Sequence, residues 1–295
     1  MKKAQITFLI FILISFLGIK HTFASKKDSS TNQINFQIEM LHWEEVNKFL
    51  PRLAKFTVID VETGKSFEVQ RRAGKHHADV QPLTRKDTKI MKNIYEGHWS
   101  WRRRAILILS NNRLIAASMH GMPHGAGALQ NGFPGHFCIH FIGSMTHRTE
   151  RSDLSHQLMI FKAAGKIDEY LVSASPPQLA DAIMVFIKNG DKGLVKKVVV
   201  SEDMNIKSQV NKIKQIETIQ WNRHPVIDAD PYSLVTTVPV EVKMHLKEIG
   251  PVNTQLSLQL IRTSPISPWK IKFESIGSVI EESLEKQNRL DKPRN

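Results

Sequence analysis

The 295-residue chain has a single cysteine, Cys138, and so cannot close an internal disulfide. Its fold must be held by a hydrophobic core, which a chain of this length can build as one large domain or two small ones. Long apolar runs are also missing. The longest, Ile6–Gly18, covers 13 residues, short of the roughly 20 that a membrane-spanning helix takes. Acidic residues are scarce: 28 Asp and Glu stand against 41 Lys and Arg, a formal net charge of +13. That balance argues against a cationic partner and for an anionic one. Nothing repeats at a fixed period, and no nucleic-acid recognition motif is present, so nucleic acid is not expected as a partner.

The first 24 residues read as a secretory signal. Lys2 and Lys3 form its positive end, Ile6–Gly18 its apolar stretch, and Thr22-Phe23-Ala24 a small-x-small cleavage site. Its removal takes away three lysines and no acid, leaving +10. The expectation is an exported chain, extracellular or associated with the cell envelope, with no membrane span once the signal is gone. Peptidoglycan or another anionic envelope polymer is the expected partner.

The pattern beyond residue 24 predicts an α+β protein. Residues 25–35 are a polar spacer. A helix is expected over Phe36–Leu53, stopped near Pro51. Strands are expected at Phe56–Val61 and Ser66–Val69 around a turn at Gly64, and a helix at Thr84–Tyr95 with Thr84 and Asp87 as a capping box. A second hairpin, Arg104–Leu109 and Arg113–Met119, turns at Asn111-Asn112. Trp99 to Arg104 read as an alternating strand, and Ser155–Ala164 as a helix ending at Gly165. From these, residues 36–165 form a mostly-β domain with flanking helices. Residues 166–281 read as a small accessory domain of helices followed by an antiparallel sheet. Its helices are expected at Pro177–Lys188 and Gly193–Val199, its strands at Lys212–Asn222, Leu234–Leu246, Gln255–Leu260 and Trp269–Glu274. Residues 282–295 are a charged, frayed tail.

Histidine is unevenly placed: nine of 13 lie between His76 and His156. The stretch His120–His140, HGMPHGAGALQNGFPGHFCIH, also holds the only cysteine. On a strand, period-two alternation puts His136, Cys138 and His140 on one face. Cysteine acyl transfer needs a thiolate, a base and oxyanion donors. Cys138 supplies the first, His124 or His136 the second, and backbone amides around Gly135–Cys138 the third. Paired with an imidazolium, the thiol is expected to ionise well below the ordinary cysteine range. Gly125 and Gly135 let the intervening loop approach a substrate closely. His76, His77, His147 and His156 read as surface residues.

These residues resemble the L,D-transpeptidase catalytic domain, which carries a His-Gly, a glycine-rich gap of similar length, and then Ser-His-Gly-Cys followed by an apolar residue. His124-Gly125 matches the first element and Gly135-His136-Phe137-Cys138-Ile139 the second. Phe137 stands where the family has glycine, Gly135 where it has serine, and His140 where it has a polar Arg or Asn. The resemblance spans about residues 54–165. It implies a β-rich fold with Cys138 as acyl-enzyme nucleophile, His124 as base and His136 beside the oxyanion. It implies activity on cell-wall peptides, with Gly125, Gly135 and His140 near the substrate and no cofactor. Residues 166–281 resemble the helix-and-sheet cones of the nuclear-transport-factor-2-like superfamily in pattern alone.

Two other readings stay open. One is a non-catalytic envelope protein that binds wall material in a degenerate cleft. The other is a zinc-dependent hydrolase drawing on His120, His124, His136, His140, Cys138 and the His77-Ala78-Asp79 segment. These spacings spell no closed ligand set, so no metal is assigned.

Overall fold

The computed structural model describes residues 37–146, 152–223 and 230–290. The signal segment, the spacer and His147 lie outside them. Helices and strands are mixed, as the sequence predicts.

The first sheet contains β1 (Ile38–Glu39), β2 (Lys55–Asp60), β3 (Ser66–Ala73), β4 (Ala78–Pro82), β5 (Arg103–Ser110), β6 (Arg113–His120) and β7 (Phe137–His140). Its order is β1-β6-β5-β2-β3-β4-β7, and β7 also pairs with β6, so β2 to β7 close a six-stranded barrel. β7 covers β6 only at Ser118 and Met119, so the rest of that β6 edge is left for β1. Alternation along the strands fills the interior with Phe56, Val58, Phe67, Val69, Val80, Ile106, Ile108, Ile115, Met119, Phe137 and Ile139. The β5–β6 turn carries Asn111 and Asn112 at φ +48° and +61°, the pair a tight primed hairpin turn requires. Two helices accompany this sheet, α1 (Trp43–Phe49) and α2 (Arg85–Ile94). The Thr84–Asp87 capping box starts α2, and Asp87 also accepts from the Glu68 amide at 3.0 Å, locking the helix to β3.

The remaining elements are α3 (Leu154–Ala163), α4 (Ile167–Ser173), α5 (Pro176–Asn189), α6 (Lys192–Val198), β8 (Val199–Val200), α7 (Ile206–Asn211), β9 (Ile216–Arg223), β10 (Val235–Leu246), β11 (Gly250–Ile261), β12 (Lys270–Lys272) and α8 (Glu274–Leu290). They build a second sheet, ordered β8-β12-β11-β10-β9. β10 and β11 pair antiparallel along all 12 residues. α5 is apolar on nearly every side and buried, so it serves two surfaces at once. It packs against β9 and β10 of this sheet and against α3, which lies on the outer face of the barrel over β5 and β6. Ala105 and Ala116 on that outer face belong to the same apolar core as α5 and the second sheet. Small side chains there let α3 approach the barrel closely.

Several expectations are corrected. The first helix spans only Trp43–Phe49, because Ile38 and Glu39 are drawn into a parallel pair with Leu114 and Ile115 of β6. The strand expected from Trp99 starts at Arg103; Trp99 instead packs edge-on against Phe133, with centroids 5.1 Å apart. The strand expected from Lys212 begins at Ile216, after a 3-10 turn. The tail expected to fray from residue 282 continues as helix α8 to Leu290. β4, α4 and α7 were not anticipated.

Candidate functional site

The site lies on the outside of the barrel. Phe137 and Ile139 of β7 point into the core, so Cys138 and His140 point out. The register sets their neighbours: Cys138 pairs with Asp79 of β4, and His140 with Ser118 of β6. Arg103 of β5 pairs with His120 of β6 on the same face. Four strands thus deliver Arg103, His120, Ser118, His140, Cys138 and Asp79 to one patch. α3 covers part of it with His156, whose Nδ1 lies 2.9 Å from the Ser118 hydroxyl.

His124 and His136 arrive by a loop that folds back on itself. Each donates its backbone N–H to the other's carbonyl, at 3.0 and 2.9 Å. The two legs come so close that glycines are obligatory. A Cβ on Gly135, at φ +126°, would sit 2.5 Å from His124 O; one on Gly125, at φ +59°, would sit 2.4 Å from the His136 ring. Gln81, fully buried on β4, buttons the loop down. Its Nε2 donates to Gly135 O at 2.8 Å, and its Oε1 accepts from Ala128 and Leu129 N–H at 2.9 and 3.2 Å. Both glycines therefore serve the loop's own closure.

At the centre, the Cys138 sulfur lies 3.3 Å from His124 Nε2 and 3.6 Å from Asp79 Oδ1. His124 Nδ1 faces Met122 O at 3.1 Å. A carbonyl only accepts, so Nδ1 carries a proton, and in the neutral ring Nε2 is left with its lone pair toward the sulfur. His136 Nδ1 faces Ala126 O at 3.0 Å in the same way, and its Nε2 lies 3.8 Å from Asp79 Oδ1. His77 also turns Nδ1 to a carbonyl, 2.8 Å from Met145 O, but its Nε2 meets an acceptor, Asp79 Oδ1, at 3.1 Å. Three histidines are each aimed inward by a backbone carbonyl.

Behind them, His140 stacks between His77 and His156, with centroids 4.6 and 3.8 Å away. It is buried beside the sulfur. In front, Trp101 is 49% exposed and leans over His120 and His124 at 4.7 and 5.5 Å.

Burial dominates the electrostatics. The Cys138 thiol, 2% exposed, is pushed up by desolvation and then by the Asp79 carboxylate. Both causes favour the protonated thiol over the expected thiolate–imidazolium pair. His120 and His156 are held well below the ordinary histidine range, first by burial and then by positive neighbours that include Arg103.

The structure brings Cys138, His124 and His136 together and sets Gly125, Gly135 and His140 around them. It corrects two details. The Gly135 and His136 amides donate to Phe133 O and His124 O, so they are spent on the loop rather than free for an oxyanion. His77 and His156, read as surface residues, are buried in the cluster. Asp79 and His120 were singled out only as metal ligands. The alternation of His77 with Asp79 and of Ser118 with His120 was the signal that a strand puts each pair on one face. The chain matches no protein-family model and no curated protein.

Proposed function

We propose that this is an exported cell-envelope protein that uses Cys138 for acyl transfer or hydrolysis on cell-wall peptides. The observation that carries the reading is the 3.3 Å contact between the Cys138 sulfur and Nε2 of a His124 ring whose Nδ1 faces the Met122 carbonyl. In the reaction, His124 takes the thiol proton as sulfur attacks a peptide carbonyl. It returns that proton to the leaving amine, and a thioester remains on Cys138. A second amine, or water, then takes the acyl group and restores the thiol. The raised thiol range suits this order, since the proton leaves only as the bond to carbon forms. Asp79 and His136 flank the sulfur and fix its direction.

The net charge of +10 after signal removal suits an anionic wall polymer as the surroundings of the substrate. Among the described residues no helix is long and apolar enough to cross a membrane. In this reading residues 36–165 are the catalytic part and residues 166–281 a binding or assembly part of nuclear-transport-factor-2-like pattern.

A second reading, a non-catalytic wall-binding protein, is favoured by one observation: the amides nearest Cys138 are engaged in the loop. Incubation with stem peptides or a carbapenem-like trap, read by intact-protein mass spectrometry, separates the two. The enzyme reading expects an adduct on Cys138 that Cys138→Ala lacks. No adduct with any trap, together with wall binding retained in Cys138→Ala, leaves the binding protein.

A further inference from the structure

The geometry points to a second occupant of the same cleft: a divalent cation of zinc's borderline softness, held by Cys138, His124 and His120. Ligand atoms of these three residues all lie within 4.8 Å of one another. The sulfur-to-nitrogen edge between Cys138 and His124 is 3.3 Å. Tetrahedral zinc with Zn–S of about 2.3 Å and Zn–N of about 2.0 Å has such edges near 3.5 Å. His120 adds the independent sign. It is 3% exposed, and its Nδ1 has no hydrogen-bond partner. A buried ring nitrogen left unpaired costs free energy unless something accepts its lone pair or its proton.

Orientation is settled as well. Met122 O fixes His124 through Nδ1, the outer contact that metal-binding histidines use to aim the other nitrogen.

Two rival sets share Cys138. His77, Cys138 and His140 form one, but all three are buried and His140 is stacked between two other imidazoles. Asp79, His136 and Cys138 form the other, but Asp79 Oδ1 is already engaged by His77 at 3.1 Å. The His120 set lies under the half-exposed Trp101, which contacts both His120 and His124. It supplies three ligands and leaves a fourth position for water.

Binding breaks the Cys138 S–H bond, forms an S–metal bond and sends one proton to solvent. No electron is transferred. The loaded chain has neither a free nucleophile nor a free base, so the ion switches the site off. That consequence, unlike the binding itself, rests on the cysteine-enzyme reading.

The test uses residues 25–295, stripped with chelator and titrated with Co²⁺ and then Zn²⁺. One equivalent of Co²⁺ should bind with a sulfur-to-metal charge-transfer band, which Zn²⁺ bleaches and Cys138→Ala abolishes. His120→Ala should weaken binding about tenfold or more, with His120→Gln in its place if the alanine variant fails to fold by circular dichroism. Absence of the band in the parent chain, or unchanged affinity in the folded His120 variant, overturns the site. Neither readout needs turnover. A band with no acyl adduct in stripped protein keeps the metal site and removes the enzyme; an adduct with no band does the reverse.

Discussion

At the scale of single residues, the site is governed by how little room surrounds one sulfur. Cys138 is 2% exposed and protonated at rest. Iodoacetamide should therefore modify it at least tenfold more slowly at neutral pH than a cysteine of the ordinary range of about 8.5. The comparison is native against urea-unfolded protein, followed by mass spectrometry. Alkylation as fast in the native chain would mean a preformed thiolate and overturn the general-base scheme. Gly135 makes a second residue-scale case. With φ at +126° and 2.5 Å between a new Cβ and His124 O, Gly135→Ala must open the His124–His136 bridge. Strain of this kind costs on the order of 1–3 kcal/mol. The variant should melt lower, and its acyl-adduct formation should fall further than its stability, because His124 reaches the sulfur only through that bridge.

At the scale of elements, what could be read from the chain depended on whether a segment advertises itself locally. The Asn111-Asn112 hairpin and the Thr84–Asp87 cap carry their own signals, and both were legible. Of the three residues expected on one strand face, Cys138 and His140 lie on β7, whereas His136 lies before it, in the bridge to His124. β4 was missed although Ala78-Asp79-Val80-Gln81-Pro82 alternates apolar and polar: it is only five residues long, and its partners β3 and β7 are 5 and 55 residues away in sequence. His77 and Asp79 were lost with it. β1 is two residues long and exists only because β6 offers an edge, held there by Glu39 and Arg113. The Arg113 guanidinium donates to Glu39 at 2.7 Å and holds that carboxyl below its ordinary value. A carboxyl with a depressed native pKa stabilises the fold above its unfolded pKa, and that contribution is lost as pH falls through the native value. Glu39→Gln should therefore melt below the parent at pH 7. The gap should close as pH drops below about 4, the range in which free carboxylates titrate. The pair is partly exposed, so the gap should be small and should shrink with salt. A gap that persists at pH 3 would show that the pair contributes nothing through charge.

At the scale of the whole molecule, the barrel and the second sheet are bound into one core rather than merely joined by a linker. α3 caps the outer barrel face at Ala105 and Ala116, and its other side packs on α5, which packs on β9 and β10. The described residues accordingly fall within one compact unit, Ile34–Asn295. The wall of the site depends on this chain of contacts. His156 stands on α3, stacks on His140 and bonds Ser118, so anything that loosens α3 unroofs the sulfur. Phe186 on α5 is fully buried and far in sequence from Cys138. Phe186→Ala should cost about 3–5 kcal/mol, the usual penalty for emptying an aromatic core position. Two consequences follow if the core is shared. Parent and variant should each unfold in a single transition that coincides by far-ultraviolet circular dichroism and tryptophan fluorescence. Alkylation of Cys138 under native conditions should also accelerate in the variant, because opening of the second half exposes a thiol carried by the first. Two separated transitions, with Cys138 reactivity unchanged by Phe186→Ala, would instead mean that residues 36–165 hold the site on their own and that the remainder is a dispensable appendage.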